Sequence, residues 1–397
     1  MKNKFPRILI ISEFYFGENT GGGVLLKNLF ENYPKDKIFI IHEDVNANTN
    51  STLNSFILKK ASKIGDFLKK FLHPLLIVLL IELKNFYKIK KKKKININLL
   101  TELNQFRPEI IYTIFGNYDL MYLIKQLKMK LKIPLITHVM DNVLATYNNK
   151  TKDYKLFKYL IDSSKIRIAI NTKMSDEYRK IFGYKFEVLH NGVDRKKVRK
   201  VNFKHKTKII TYIGSVFKNA QLNSLVEITN VLKKLMEENL NIQCFLYLPE
   251  SQKRIYESYF AKHQNIYIKE HNLGEKEYFK KISESSLLLL ASNFDNYSTE
   301  YYKYSWPAKM GSYLMSKVPI FIYGPDKIFF INDAKEKKWA YVENKKSFLN
   351  LENSLKKILY DSNLRKKTLE CAMKKSKDFD LQKIQRKFKD ILKCAHK

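Results

Sequence analysis

The chain has 397 residues, is 45% hydrophobic and carries a formal net charge of +35. That length and apolar content suit two domains with buried cores and exclude global disorder. The charge favours polyanionic partners such as anionic lipid, phosphorylated substrates or nucleic acid. Nucleic acid is the weaker choice, because there is no RNP-type motif, zinc-knuckle spacing or helix-turn-helix signature. Cys244, Cys371 and Cys394 show no paired spacing, which fits a reducing compartment and argues against structural zinc. The opening MKNKFPRILIIS enters a strand at once and lacks a leader's apolar run and cleavage site, so no signal peptide is expected.

The run over 7–12 predicts a buried parallel strand. A long loop over 13–23 follows, ending in Gly21, Gly22 and Gly23. A helix over 24–33 and a strand over 37–42 complete a β-loop-α-β opening. The glycines do not follow the dinucleotide spacing GxGxxG, but they let a ligand approach the backbone at a helix start; an ordinary surface turn is the alternative. Residues 55–94 read as helical. Within them 71–83 is largely apolar but spans only about 20 Å, too short for a bilayer core of about 30 Å. Five lysines, Lys90 to Lys94, follow six residues later. An apolar helix beside a polybasic run predicts a membrane-interface anchor; a core helix with a solvated basic turn is the alternative.

Strands are expected over 107–115 and 133–139, with a helix over 119–131 between them. The second strand runs into His138 and Asp141, at the strand C-terminus where such folds place ligand groups. A lone histidine there can equally be a packed structural residue. A strand over 167–171, a helix over 173–182 and a strand over 186–189 lead to HNGVD at 190–194. No element is assigned over 195–208, and the domain boundary is expected there. The βα rhythm restarts with a strand over 209–213, YIGS and a helix over 222–238. Strands follow near 243–248, 266–268 and 287–291. Residues 305–325, SWPAKMGSYLMSKVPIFIYGP, predict a proline-led turn, a helix over 308–316 and a buried strand over 319–323. Lys309 near the start of that helix would suit an anion site, but an ordinary loop–helix–strand unit of an α/β domain is the reading that local physics alone favours. Three helices, over 348–359, 363–377 and 381–394, close the chain.

The Gly21–Gly23 stretch, RPEIIYT, HVMDN, VLHNGVD, YIGS and the 305–325 unit, in this order, resemble the GT-B glycosyltransferases of the GT4 type (glycosyl transferases group 1) over most of the chain. The resemblance implies two Rossmann-like domains with parallel sheets facing a cleft, plus C-terminal helices. Residues 1–200 would form an acceptor-side domain, with a possible membrane-associating helical insertion at 55–95. Residues 201–375 would form the donor-nucleotide domain, and 376–397 a helix packing back on the first. It further implies sugar transfer from a UDP- or GDP-sugar, retaining, with neither a bound metal nor a bound cofactor.

Carried over residue by residue, the family's ribose-contacting glutamate falls on Ser312 and its sugar-contacting glutamate on Tyr304, with Glu300 nearby. The glycine before the valine–proline pair falls on Lys317. After Gly214 stands Ser215, with Lys218 the nearest lysine, while Lys309 matches a lysine found in part of the family. His138 and Asp141 would face the reacting sugar. Gly21–Gly23, Gly214, Lys218, Glu300, Tyr304, Lys309 and Ser312 would line the donor site. The expected acceptor is a lipid-linked or nascent saccharide of cell-surface polysaccharide synthesis in a bacterium. The expected location is the cytoplasmic face of an anionic membrane. A non-catalytic GT-B-like protein that binds a glycan or partner at the membrane is the alternative.

Overall fold

The computed structural model describes residues 5–17, 20–44, 53–58, 95–145, 151–198 and 207–397. The first half contains β1 (Ile8–Ile11), α1 (Gly21–Phe30), β2 (Ile38–His42), β3 (Asn54–Ile57), α2 (Ile97–Phe106) and β4 (Ile110–Ile114). It continues with α3 (Tyr118–Leu131), β5 (Leu135–Val139), α4 (Lys152–Ser163), β6 (Ile166–Ala169), α5 (Thr172–Phe182) and β7 (Glu187–Val188). The second half contains β8 (Lys208–Ile213), α6 (Leu222–Glu237), β9 (Ile242–Leu248), α7 (Glu250–Tyr256), β10 (Ile266–Glu270), α8 (Glu275–Glu284) and β11 (Leu287–Ala291). There follow α9 (Asn296–Tyr302), α10 (Met310–Met315), β12 (Ile320–Tyr323), α11 (Phe329–Lys337), β13 (Tyr341–Glu343), α12 (Phe348–Tyr360), α13 (Ser362–Lys375) and α14 (Leu381–His396).

Two sheets result. The first has seven strands in the order β3-β2-β1-β4-β5-β6-β7, and the second six in the order β10-β9-β8-β11-β12-β13. Every pairing is parallel, as in Ile8↔Ile38 and Ile8↔Ile110. Parallel strands are covered by helices on both faces, so they need side chains that bury on both. The residues supply this: β1, β2, β4, β5, β11 and β12 are buried along their whole length. These are two Rossmann-like domains, as the sequence predicts.

Two local readings change. Gly21, Gly22 and Gly23 form the first turn of α1, capped by Thr20, whose Oγ1 accepts from Gly23 N at 3.0 Å. They are helix rather than the end of a loop. Residues 54–57 are a strand that pairs with β2 through His42↔Ile57, because its apolar side chains complete a sheet edge. Of the membrane-associating helical insertion expected over 55–95, residues 59–94, with Lys90 to Lys94, lie outside the described residues. Among the described residues no helix is long and apolar enough to cross a membrane.

The chain crosses between the sheets twice, and the crossings hold each other. Val193 N donates to Phe379 O at 2.8 Å, and Leu381 N donates to Val193 O at 3.2 Å. From there α14 returns to the first domain, where Phe388 packs edge-on against Phe30 and Tyr112 at 5.0 and 5.4 Å. Its buried side chains, including Leu381, Ile384, Phe388, Ile391 and Leu392, recur at three- and four-residue spacing and complete that core.

Candidate functional site

In each sheet the strand order reverses beside the first strand of the half, between β1 and β4 and between β8 and β11. At such a switch point the flanking connections leave in opposite directions and open a crevice at the strand C-termini. Here the two crevices face each other. Glu13, Phe115 and Gly116 from the first, and Gly214, Ser215 and Ser292 from the second, line one cleft of about 760 Å³.

Lys309 is the main charged feature of the second wall. It occupies the cap position before α10, which is only six residues long, so the positive group there is the side chain rather than a helix end. Its Nζ lies 3.7 Å from the centre of the Tyr212 ring. Among the described residues no carboxylate is within ion-pair distance, and burial pushes its pKa down to about 7. Gly214 makes this approach possible. A Cβ there would meet Lys309 Nζ at 2.6 Å, and its φ of +138° is one that only glycine tolerates well. His271 stands nearby with Nδ1 buried and unpartnered, its pKa lowered by burial and then by Lys309. With no carboxylate beside Lys309 among the described residues, an anion placed between it and His271 would complete this corner.

Ser312 also lines the cleft. Its hydroxyl donates to Lys309 O at 2.7 Å, so the partner at 2.6 Å, the Tyr278 hydroxyl, must be donating to it. Burial pushes Tyr278 up to about 12, which keeps that proton in place. Asp141 faces the cleft from the end of β5. Its Oδ1 accepts from Ser305 Oγ of the other domain at 2.8 Å, and burial raises its pKa against the effect of that bond. Asn142 adds a second link across the gap, Nδ2 donating to Glu300 O at 2.9 Å.

Gly21, Gly22 and Gly214 line the cleft as well. The remaining expected residues are elsewhere. His138 is fully buried in the first core. Its Nε2 lies 3.0 Å from the Leu189 carbonyl oxygen, so Nε2 carries the proton and Nδ1 accepts from the Tyr112 hydroxyl at 2.7 Å. Burial pushes it down to about 4, and it serves as a neutral structural bridge rather than facing a reacting sugar. Gly23 is turned inward, a Cβ there meeting Tyr15 O at 2.8 Å. Lys218 is exposed outside the lining, with its carbonyl accepting from Asn293. Glu300 is exposed and pairs with Lys303 at 3.3 Å. Tyr304 is buried toward the first domain, its ring edge-on to Tyr178 and its carbonyl accepting from Asn171 Nδ2.

Sequence reasoning missed Glu13, His271, Tyr278 and Ser305. Glu13 sits two residues past β1, a position the strand-end rule could have singled out. Tyr278 and Ser305 become visible only when two domains are packed together. Among the described residues no group of three or more His, Cys, Asp or Glu side chains is placed to hold a metal ion.

No protein-family model and no curated protein matches the chain. Solved structures do match it in shape. HepE from Anabaena, in complex with UDP-glucose, superposes with a TM-score of 0.69 at 8% identity, covering 97% of this chain and 99% of its own. WaaG, a glycosyltransferase involved in lipopolysaccharide biosynthesis, gives 0.62 at 13%, covering 97% and 99%. An α,α-trehalose-phosphate synthase (UDP-forming) from Burkholderia vietnamiensis gives 0.63 at 12%, covering 98% and 99%. The fold is GT-B. Within it, the two positions where the resemblance expects glutamates have different fates. Ser312 stays in the cleft with Tyr278, whereas Tyr304 is drawn out of it by contacts with the first domain.

Proposed function

We propose that the chain is a glycosyltransferase that moves a sugar from a nucleoside-diphosphate sugar to a saccharide acceptor. The observation that carries this reading is Lys309, a buried lysine with no carboxylate partner among the described residues, in a cleft between two switch points. In such a transfer the bond from the sugar to the diphosphate breaks and negative charge grows on the leaving phosphate. A cation fixed beforehand in a partly dry cleft stabilises that charge without reorganising at the moment of reaction. The bound diphosphate would restore the lysine's proton, and the Tyr278–Ser312 pair would offer neutral hydrogen-bonding atoms to the ribose. UDP is the favoured nucleotide, since HepE is described with UDP-glucose; a GDP-sugar is the alternative. Membership of the GT4 type, retention, metal-independent transfer, a lipid-linked or nascent polysaccharide acceptor and a peripheral place on the cytoplasmic face of a bacterial membrane complete the proposal. They rest on the resemblance and on the +35 charge.

The test is nucleotide release from UDP-glucose and GDP-mannose, with and without saccharide acceptors, alongside calorimetric titration of UDP and GDP. Saturable nucleotide binding that weakens in Lys309→Ala supports the reading. A second reading, a non-catalytic binder with this fold, draws on Tyr304 and Ser312 standing where carboxylates are expected. Nucleotide or glycan binding without any turnover would favour it.

A further inference from the structure

Across the cleft from Lys309 the structure assigns a task to Glu13: receiving a hydroxyl group of the saccharide acceptor. This rests on the transferase reading above. Four carboxylates among the described residues line the cleft: Glu13, Asp141, Asp194 and Glu275. Glu275 is paired with Lys197 at 2.9 Å. Asp194 caps the turn after it, accepting from Lys196 N at 2.9 Å. Asp141 is bonded to Ser305, and burial favours its neutral form. Glu13 differs from all three. Its Oε1 accepts both N–H donors of Asn117, the backbone N at 2.7 Å and Nδ2 at 2.9 Å, while its Oε2 accepts nothing from the described residues.

The support beneath Glu13 is built for the purpose of holding it still. Asn117 caps α3, its Oδ1 accepting from Leu120 N at 3.1 Å, and its Nδ2 also reaches Glu43 Oε2 at 2.9 Å. Gly116 leaves room where any side chain would collide, since a Cβ there would lie 2.6 Å from Glu13 Cγ. One oxygen is thus clamped by fixed N–H groups and the other remains to accept. An ionised carboxylate accepts and does not donate, so its complement is a donor group. It also repels phosphate, which sends the diphosphate to the Lys309 wall and a polyhydroxyl group to this one. A sugar hydroxyl satisfies both conditions.

The experiment uses the full chain and three neutral probes: D-glucose, N-acetylglucosamine and octyl β-D-glucoside. Binding is read by saturation-transfer NMR with and without UDP. In Glu13→Gln the amide oxygen still accepts from Asn117 while the NH₂ group reverses the polarity of the free side. We expect sugar affinity to fall roughly tenfold or more, with UDP affinity and thermal midpoint unchanged. Gly116→Ala, which displaces Glu13 without changing its charge, is expected to give the same sugar loss. Equal sugar affinity in wild type and Glu13→Gln would overturn the assignment. So would a wild type that binds UDP yet shows no Glu13-dependent signal with any probe. Failure to bind UDP would count against the donor reading alone, because the sugar arm without nucleotide still reads Glu13 directly.

Discussion

After β1 the chain leaves the first sheet with a carboxylate, Glu13, clamped on the cap of α3. After β8, at the equivalent place in the second sheet, it leaves with Gly214 and gives its space to a lysine that arrives from far along the sequence. The two walls are the same β-turn-α unit at the same kind of switch point, yet they carry opposite charge. They also hold it by opposite means. The carboxylate is stabilised in place by N–H donors, whereas the lysine is held by burial against Tyr212 with no carboxylate among the described residues to neutralise it. Burial of an uncompensated charge costs stability that ligand binding can recover, so the second wall is the one that should respond to an anion.

Removing Lys309 should break the contrast most completely. In Lys309→Ala the Kd for UDP is expected to rise roughly ten- to a hundredfold, measured by calorimetry, with the fold retained by circular dichroism. The same lysine sets a pH profile. It is charged below about 7, so wild-type UDP affinity should fall as pH rises through that value, and Lys309→Ala should be flat there. Its effect on stability runs the other way. Between about 7 and 10.5 the unfolded chain holds more protons at this residue than the folded one, so wild-type stability should rise with pH across that window. Lys309→Ala should lose this rise. An affinity for UDP that is unchanged in this variant removes Lys309 from the site.

Gly214→Ala tests whether the room made for Lys309 matters. Its Cβ would press on Nζ, and its backbone would be held at a φ of +138°. We expect weakened UDP binding together with a loss of about 1–3 kcal/mol in urea unfolding. Wild-type binding and stability in this variant would show that the close approach is incidental.

His138→Gln sharpens the comparison from outside the cleft. It should cost about 1–3 kcal/mol by leaving buried partners unsatisfied while UDP affinity stays at the wild-type value. Because burial lowers the folded pKa to about 4 from an ordinary 6.5, the unfolded state takes up the proton first. Stability should therefore fall as pH drops through that window, and the variant should show a shallower acid limb. Loss of UDP binding with unchanged stability would return His138 to the site. The smallest effect is expected at Lys317, whose φ of +61° suits glycine better than lysine. Lys317→Gly should raise stability by about 1 kcal/mol, and no change in the urea midpoint would show that the local backbone relieves the strain.

Much of this architecture is legible in the residues. Runs such as ILII and LLLLA read as buried strands because parallel sheets leave no polar face, and α14 shows its buried stripe at helical spacing. Other elements were hidden. In α8, EKEYFKKISE, the buried set is small, Phe279, Ile282 and Ser283, so charge obscures the face that carries Tyr278. The strand β3 is short and only half-buried, and its pairing with β2 is what defines it.

The sequence by itself determined the two αβ halves, the strand cores and the unusual lysine in the 305–325 unit. Those features depend on local propensity and on apolar periodicity, which a chain carries with it. Only the tertiary structure decided which side chains reach the cleft. His138 and Asp141 are three residues apart, yet the first ends inside the core, bonded to Tyr112 and Leu189, and the second ends at the cleft, bonded to Ser305 of the other domain. Tyr304 turns toward the first domain and Ser312 toward the cleft for the same reason. A side chain's direction at a strand end or domain edge is set by whatever packs against it, and those partners lie up to 164 positions away in the sequence.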